Sequence, residues 1–149
     1  MVKTREHEAA SHNLGMLVVT YADVAGIELS GAGAWLLKNK QRKAGLEPDE
    51  CFIVGPYGDR ERPDFAIEIV KTSSGIDKLE IYRRLGVREV WIWRKGAIEV
   101  RVLHGDVYTE QDHSDALAGI DLARVTALLD APTAMDAMRT FRAELRAAP

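Results

Sequence analysis

Cysteine is almost absent from this sequence: Cys51 is the single one in 149 residues. A lone cysteine cannot form an intramolecular disulfide, which fits a reducing compartment. The chain also lacks any apolar run approaching the ~20 residues that span a bilayer. Residues 1–8 are polar and lack the apolar core of a signal peptide. We therefore expect a cytoplasmic protein that makes no use of a membrane.

An excess of positive charge is missing as well. The formal net charge is −3, which argues against a general electrostatic attraction to nucleic acid but allows a local basic patch. One such patch is residues 38–43, which carry four positive charges in six residues. This segment is either a solvated turn or a surface that contacts phosphates.

The order of hydrophobic patterns predicts one domain over residues 1–149, long enough to bury a single core. An amphipathic helix is predicted from Thr4 to about Ala25, and helical structure again from Asp115 onward. Between them the pattern predicts extended segments at 27–37, 46–54 (with acids at the strand entry), 65–70, 87–93, 97–103 and 107–109, with one helix after residue 74. This order indicates an α/β fold with a mixed central β-sheet flanked by α-helices.

One predicted strand carries an acid among apolar residues. Residues 65–70 are apolar and partly β-branched except for Glu68, as expected of a buried strand. An ionised carboxylate in such a strand is costly unless it is paired or holds a metal ion. Glu68 is therefore the first candidate site residue.

A helix is predicted directly after this strand. Ser74 and Asp77 have the spacing of a capping box, and Gly86 is a residue type typical of the position after a helix. Lys78 lies in the first turns, and Tyr82 lies one turn further along the same face. Because helix N-termini favour anions, the acid, the lysine and the helix start together suggest metal-assisted phosphoester chemistry.

Strand geometry limits which acids can share an ion with Glu68. Asp64 is on the same face but roughly 13 Å away at ~3.3 Å per residue, whereas Mg²⁺ takes oxygen ligands at ~2.1 Å. Neighbouring strands are only ~4.8 Å apart, so Asp49 or Glu47, before the adjacent strand, is a better partner. The sequence does not fix the register between these two strands, and we choose Asp49 as the residue that shares the metal ion with Glu68. Asp64 would then orient the site or bind a second ion.

Three segments stand out in order along the chain: LEPDEC at 46–51, RPDFAIEIV at 62–70 and DKLEIYRRLGVREVWI at 77–92. Together they resemble the Uma-type restriction endonuclease family of the PD-(D/E)XK nuclease superfamily. The specific feature is their ordered series: Pro-Asp, a second Pro-Asp with Glu four residues after its Asp, a helix with Lys and Tyr, and Gly-Val-x-Glu-x-Trp. The similarity covers residues 46–103 well and the flanks loosely.

The resemblance implies a restriction-endonuclease-like fold and a divalent metal ion, Mg²⁺ or Mn²⁺, held by acids. By the motif, Asp49 and Glu68 would be the catalytic metal-binding residues. The superfamily usually has a lysine two residues after the second acid, and here that position is Val70. Lys78 would therefore supply the positive charge from the helix, as a migrated catalytic lysine.

Two functions stay open at this point. The first is a Mg²⁺-dependent endonuclease that hydrolyses DNA phosphodiester bonds, with Lys78 orienting or deprotonating the attacking water or stabilising charge. Tyr82 would position Lys78 or touch a phosphate. The second is a catalytically silent module that keeps the fold and binds nucleic acid or a protein partner, with Glu68 and Lys78 forming only a salt bridge. Val70 and the acidic net charge favour this second function, whereas the retained acids and Lys78 favour the first.

Aromatic and histidine residues have simpler interpretations. Trp91 and Trp93 fall on one face of a strand, which predicts packing in the core or on the sheet rather than base stacking. A homodimer that uses the tryptophan-bearing strands is compatible with either function. His7 and His12 are expected to be solvated residues on the polar side of the first helix.

Overall fold

The computed structural model describes residues 4–71 and 78–149. Within these ranges the helices are α1 (Arg5–Ala25), α2 (Lys78–Leu85), α3 (Leu122–Leu128) and α4 (Ala134–Ala147). The strands are β1 (Leu29–Gly31), β2 (Leu37–Asn39), β3 (Ala44–Leu46), β4 (Glu50–Val54), β5 (Phe65–Ile69), β6 (Glu89–Arg94), β7 (Ala97–His104) and β8 (Val107–Gln111). The predicted capping box at residues 74 and 77 lies outside the described ranges.

Six strands form one mixed sheet in the order β1-β4-β5-β6-β7-β8, and β2 pairs with β3 in a separate hairpin. Strands β5 and β6 run parallel, and the other neighbours in the large sheet run antiparallel. A parallel pair needs a long crossover connection, and α2 belongs to the connection between β5 and β6. The predicted α/β fold with a mixed central sheet and flanking helices is confirmed.

Strand β5 separates two apolar cores. Its odd-numbered residues, 65 to 69, pack in the larger core with α1, α3 and α4. On the opposite face, Ala66 and, just after the strand, Val70 pack in a smaller core with α2 and the β2–β3 hairpin. Side chains alternate along a strand, so Glu68 lies on the face that α2 covers.

The first helix has the predicted bounds. The Thr4 side chain accepts a hydrogen bond from the backbone N–H of His7, which caps the helix start. Gly26 ends the helix in the left-handed conformation with φ of 73°. Within the two described ranges, every helix is too short or too polar to cross a membrane.

Two predicted segments differ in the structure. Only Leu29–Gly31 of the segment 27–37 forms a strand of the large sheet, and Leu37 begins the hairpin. Helical structure begins at Leu122 rather than near Asp115. The physical reason is that the backbone N–H groups of Asp115 and Ala116 donate to the side chain of Glu89 instead of starting a helix.

The tryptophan-bearing strand is interior to the sheet. Trp91 is fully buried in the larger core, and Trp93 packs against the same core, so the packing prediction is confirmed. Strand β6 pairs with β5 on one edge and β7 on the other. Strand β6 therefore has no free edge to pair with a second chain, and a homodimer that uses the tryptophan-bearing strands stays a prediction.

Candidate metal-dependent nuclease site

The candidate site centres on Glu68, whose side chain is only 1% exposed. Its two carboxylate oxygens have different donors, both from α2. The Lys78 ammonium lies 3.1 Å from Oε2, and the Tyr82 hydroxyl donates to Oε1 at 2.5 Å. Lys78 and Tyr82 are one helical turn apart, so α2 presents both groups to the same carboxylate.

Asp49 lies beside Glu68 at the end of the next strand. In the antiparallel β4–β5 pair Glu50 is opposite Ile67, so the following pair outward places Asp49 opposite Glu68. The backbone N–H of Ile69 donates to Asp49 Oδ2 at 2.8 Å, which fixes this side chain at the strand end. The register that the sequence left open thus brings together the two acids chosen as metal ligands.

The first helix contributes two residues that the sequence did not indicate. His7 Nε2 lies 3.2 Å from Asp49 Oδ2, and the His7 side chain is only 15% exposed. The hydroxyl of Ser11 donates to the backbone carbonyl of Asp49 at 3.2 Å. The expectation that His7 is solvated is therefore wrong. The four-residue spacing of His7 and Ser11, on one helix face, was the signal that could have paired them.

Burial sets the electrostatics of the site. Loss of solvent contact raises the pKa of Glu68 from 4.5 to about 6, and the negative charge of Asp49 adds to this effect. The hydrogen bond from Tyr82 and the charge of Lys78 act in the opposite direction. Burial and the charge of Asp49 therefore make ionisation of Glu68 harder, even with Lys78 in contact.

Lys78 combines a buried contact with solvent access. Its side chain is 41% exposed while its ammonium touches the buried Glu68, so it can also face a bound substrate. Val70, in the usual lysine position of the superfamily, is buried in the smaller core. Lys71 is exposed and donates to the Thr4 hydroxyl at 3.0 Å. Of these three positions, Lys78 is the one that places a positive charge on Glu68.

Tyr82 serves Glu68 rather than a substrate. Its side chain is fully buried, so it cannot touch a phosphate. Burial and the neighbouring Glu68 raise the pKa of Tyr82 far above its usual range, which keeps the hydroxyl protonated as a hydrogen-bond donor. The alternative in which Tyr82 contacts a phosphate is therefore wrong, and its direct partner is Glu68 rather than Lys78.

Asp64 and Glu47 lie apart from this group of side chains. Asp64 Oδ2 accepts from the backbone N–H of Val54 at 2.6 Å, and Oδ1 accepts from Arg60 at 2.8 Å. These bonds hold the β4–β5 turn at the opposite end of β5 from Glu68, so Asp64 is not placed to orient Glu68, and its binding of a second ion stays a prediction. Glu47 is exposed in the segment before β4.

The donor set fits a metal ion that keeps most of its water. Within residues 4–71 and 78–149, no group of three or more His, Cys, Asp and Glu side chains is arranged to hold a metal ion. Mg²⁺ is commonly bound by one or two carboxylates, with waters and substrate phosphates filling the octahedron. Asp49 and Glu68 supply two carboxylates, and each carboxylate has about four lone-pair positions. Hydrogen bonds from Lys78 and Tyr82 therefore do not exhaust Glu68.

A second buried glutamate gives a contrast within the same pair of strands. Glu89 is also only 1% exposed, and it starts β6 beside the start of β5. Its Oε2 accepts from Trp91 Nε1 and the Ser114 hydroxyl, both at 2.6 Å. Its Oε1 accepts from two backbone N–H groups. Four neutral donors satisfy this carboxylate, so the Glu-x-Trp part of the motif is structural.

Two comparisons with known proteins bear on the family to which this chain belongs. No curated protein matches the chain. The model of one family, Uma2, described as "Putative restriction endonuclease", matches residues 1–133. This range contains all of the large sheet, α2 and every residue of the candidate site. The predicted recognition is confirmed: the chain belongs to the Uma2 family.

Proposed function

We propose that this chain is a metal-dependent endonuclease that hydrolyses phosphodiester bonds in DNA. The observation that carries the proposal is the pair of acids Asp49 and Glu68 on adjacent strand ends, with the half-exposed ammonium of Lys78 on Glu68. Membership of a restriction endonuclease family supports the same reaction. Each part has a separate role in the chemistry.

The two acids would hold Mg²⁺ or Mn²⁺ through carboxylate oxygens. Such an ion supplies Lewis-acid polarisation of a phosphoryl oxygen and lowers the pKa of a bound water. Asp49 is prepared for this role because Ile69 and His7 fix its Oδ2. Glu68 is oriented for the same role because Lys78 and Tyr82, both on α2, donate hydrogen bonds to its two carboxylate oxygens.

Lys78 would act on the substrate side of the site. An ammonium has three N–H donors and no acceptor, so it can keep its contact with Glu68 and still donate to water or phosphate. In this position it would orient the attacking water and stabilise negative charge that develops on the phosphoryl oxygens. Tyr82 is a positioning residue, because its hydroxyl acts through Glu68.

The direct test is nicking of supercoiled plasmid by purified protein with Mg²⁺ or Mn²⁺. We expect Glu68→Gln and Lys78→Ala each to lose about 100-fold or more in rate, the magnitude typical of removing one transition-state contact. Arg139→Ala removes an exposed positive charge on α4 and serves as the matched control, with an unchanged rate. If the wild type nicks with neither metal while its circular dichroism shows a folded protein, the proposal fails.

A binding measurement separates a metal site from a simple salt bridge. Calorimetric titration with Mn²⁺ should detect binding that disappears in Glu68→Gln. Glu89→Gln alters an equally buried glutamate whose donors are all neutral, so it should retain Mn²⁺ binding. Equal binding by all three proteins would place the ion elsewhere.

A specific observation favours a second candidate, the silent module that binds nucleic acid or a protein. The usual lysine position is Val70, buried in an apolar core, and Glu68 already has Lys78 as an ion-pair partner. A folded wild type that binds duplex DNA but neither nicks it nor binds Mn²⁺ would establish this module.

Three further parts of the proposal concern organisation. We propose that residues 1–149 act as one nuclease-like domain, because both apolar cores use the same sheet. Cleavage of DNA would take place in the cytoplasm, a reducing compartment in which the buried thiol of Cys51 needs no disulfide partner. A homodimer would supply two sites for the two DNA strands, and sedimentation equilibrium with and without DNA tests this assembly.

A further inference from the structure

The β2–β3 hairpin concentrates positive charge at its turn. Lys38, Lys40, Arg42 and Lys43 are all exposed. The turn is defined by two hydrogen bonds, from the Arg42 N–H to Asn39 Oδ1 at 3.1 Å and from the Lys43 N–H to the Lys40 carbonyl at 3.3 Å. The four cations therefore project from a structured hairpin end, which we call the basic turn, residues 38–43.

The basic turn has no neutralising acid among the residues that the structure describes. None of its four cations forms an ion pair there, although exposed arginines elsewhere do, such as Arg83 and Arg84 with Glu80. The cross-strand partners are small and uncharged, since Lys38 is opposite Gly45 and Asn39 is opposite Ala44. The chain as a whole carries a net charge of −3, so this concentration of positive charge is local.

The hairpin is attached to the helix that carries the catalytic lysine. Leu37, at the base of β2, and Tyr82, on α2, belong to the same small core. Lys40, where the chain turns after β2, is three residues beyond Leu37, which is about 10 Å at ~3.3 Å per residue. Ten ångströms is about three base-pair steps along DNA at ~3.4 Å each. This offset is short compared with a duplex, which extends along its axis well beyond the one phosphate that is cleaved, and the hairpin packs on the helix that carries Lys78.

We propose that the basic turn binds the phosphate backbone of the DNA on which the candidate site acts. This inference rests on the proposed function for the identity of the ligand. Lysine is a mobile point charge suited to phosphate oxygens rather than to bidentate reading of a base. The turn therefore adds affinity and position without sequence preference. It also supplies the positive charge that a chain of net charge −3 needs to hold a polyanion.

The test compares two variants with the same change in net charge. The first replaces three cations of the turn (Lys38→Gln, Lys40→Gln, Arg42→Gln) and leaves Lys43, which has a positive φ of 51°. The control replaces three exposed cations elsewhere, on the β6–β7 turn and α4 (Lys95→Asn, Arg139→Gln, Arg146→Gln). A third variant keeps every charge (Lys38→Arg, Lys40→Arg, Arg42→Lys). All three carry Glu68→Gln, so that binding is measured without cleavage.

Binding of a fluorescent 20-base-pair duplex is followed by anisotropy in EDTA from 50 to 200 mM salt. Each phosphate contact contributes about 0.9 to the slope of log K against log salt. The turn variant lacks three such contacts, so we expect its slope to be smaller by about 2.7. Between 50 and 200 mM salt its affinity should therefore fall about 40-fold less than the affinity of the parent. The control and the charge-preserving variant should keep the parent slope.

The outcomes separate this inference from the proposed function. If the turn variant and the control have the same slope, or if the parent does not bind the duplex at 50 mM salt, the inference is overturned. Nicking by the wild type is measured independently, so the nuclease proposal can stand while the turn fails. A turn-dependent slope in a protein that nicks nothing would support the turn as a DNA contact and remove the nuclease proposal.

Discussion

The charge of Glu68 should destabilise the metal-free protein at neutral pH, and Glu68→Gln isolates this effect. Gln is nearly the same size and can still accept the Tyr82 hydrogen bond, but it cannot ionise. The comparison is between wild type and variant in EDTA, each measured at several pH values. It concerns the free energy of unfolding, not activity.

The magnitude follows from the raised pKa. Burial moves the pKa of Glu68 from 4.5 to about 6 in the folded protein, so the folded state binds this proton more tightly than the unfolded state. The contribution of protonated Glu68 to the free energy of unfolding is therefore fully present below about pH 4.5, and it is lost as the pH rises through about 6. At 1.36 kcal/mol per pKa unit, the loss is about 2 kcal/mol. No discount for solvent screening applies, because the side chain is only 1% exposed.

The assay is urea unfolding followed by tryptophan fluorescence at pH 4, 5, 6 and 7.5. The chain has three tryptophans, of which Trp91 is fully buried. The free energy of unfolding of Glu68→Gln minus that of wild type should rise by about 2 kcal/mol from pH 4 to 7.5. Lys78→Met should behave in the opposite way, because Lys78 lowers the pKa of Glu68. Its stability should fall more steeply with pH than that of wild type.

The result that would refute this reasoning is a step of the opposite sign. If wild type gains stability relative to Glu68→Gln between pH 4 and 7.5, the folded state favours the Glu68 anion. The ion pair with Lys78 would then outweigh burial and the repulsion from Asp49. That outcome would describe a structural salt bridge, and it would remove the electrostatic reason for a cation at this site.

Three other changes test separate parts of the structure. Tyr82→Phe removes a hydrogen bond that lowers the pKa of Glu68, so the acid limb of a nicking pH profile should move to higher pH; an unmoved limb contradicts a positioning role. Glu89→Gln should cost about 1–3 kcal/mol in urea unfolding, because the amide has one accepting oxygen and its NH2 group must face donors that now bond the other oxygen, and a loss below 0.5 kcal/mol would contradict this network. Gly86→Ala should cost about 1–2 kcal/mol, since Gly86 has φ of 73°, and an unchanged midpoint would be inconsistent with that conformation.

The sequence was informative wherever a local pattern determines structure. The acid within the apolar run at 65–70 identified Glu68, and the helical spacing of Lys78 and Tyr82 placed both on the face that now contacts it. Asp49 was chosen from the ~4.8 Å spacing of neighbouring strands. The observed register agrees, because it brings Asp49 opposite Glu68. In each case the relevant contact depends on nearby residues or on the geometry of one strand pair.

Contacts between distant segments were not predictable in the same way. His7 reaches Asp49 across 42 positions of chain only because α1 packs over the end of β4. The hairpin of residues 37–46 has strands of three residues each, too short for an alternating pattern to be recognised. Helical spacing after Asp115 was misleading because Glu89, from another strand, takes the N–H groups that would start a helix.

The two buried glutamates of this fold differ in how their charges are satisfied. They lie toward opposite ends of the parallel β5–β6 pair and are equally buried. Glu89 accepts four hydrogen bonds from neutral donors and has no acid opposite it on β5, because its partner there is Phe65. Among the residues that the structure describes, Glu68 has two donors, one of them the partly exposed Lys78, and it faces Asp49 across the β4–β5 pair. A protein that needed only stability would gain by satisfying Glu68 as it satisfies Glu89. The acid pair beside a solvent-accessible lysine is instead the arrangement that a divalent cation and a phosphate would complete.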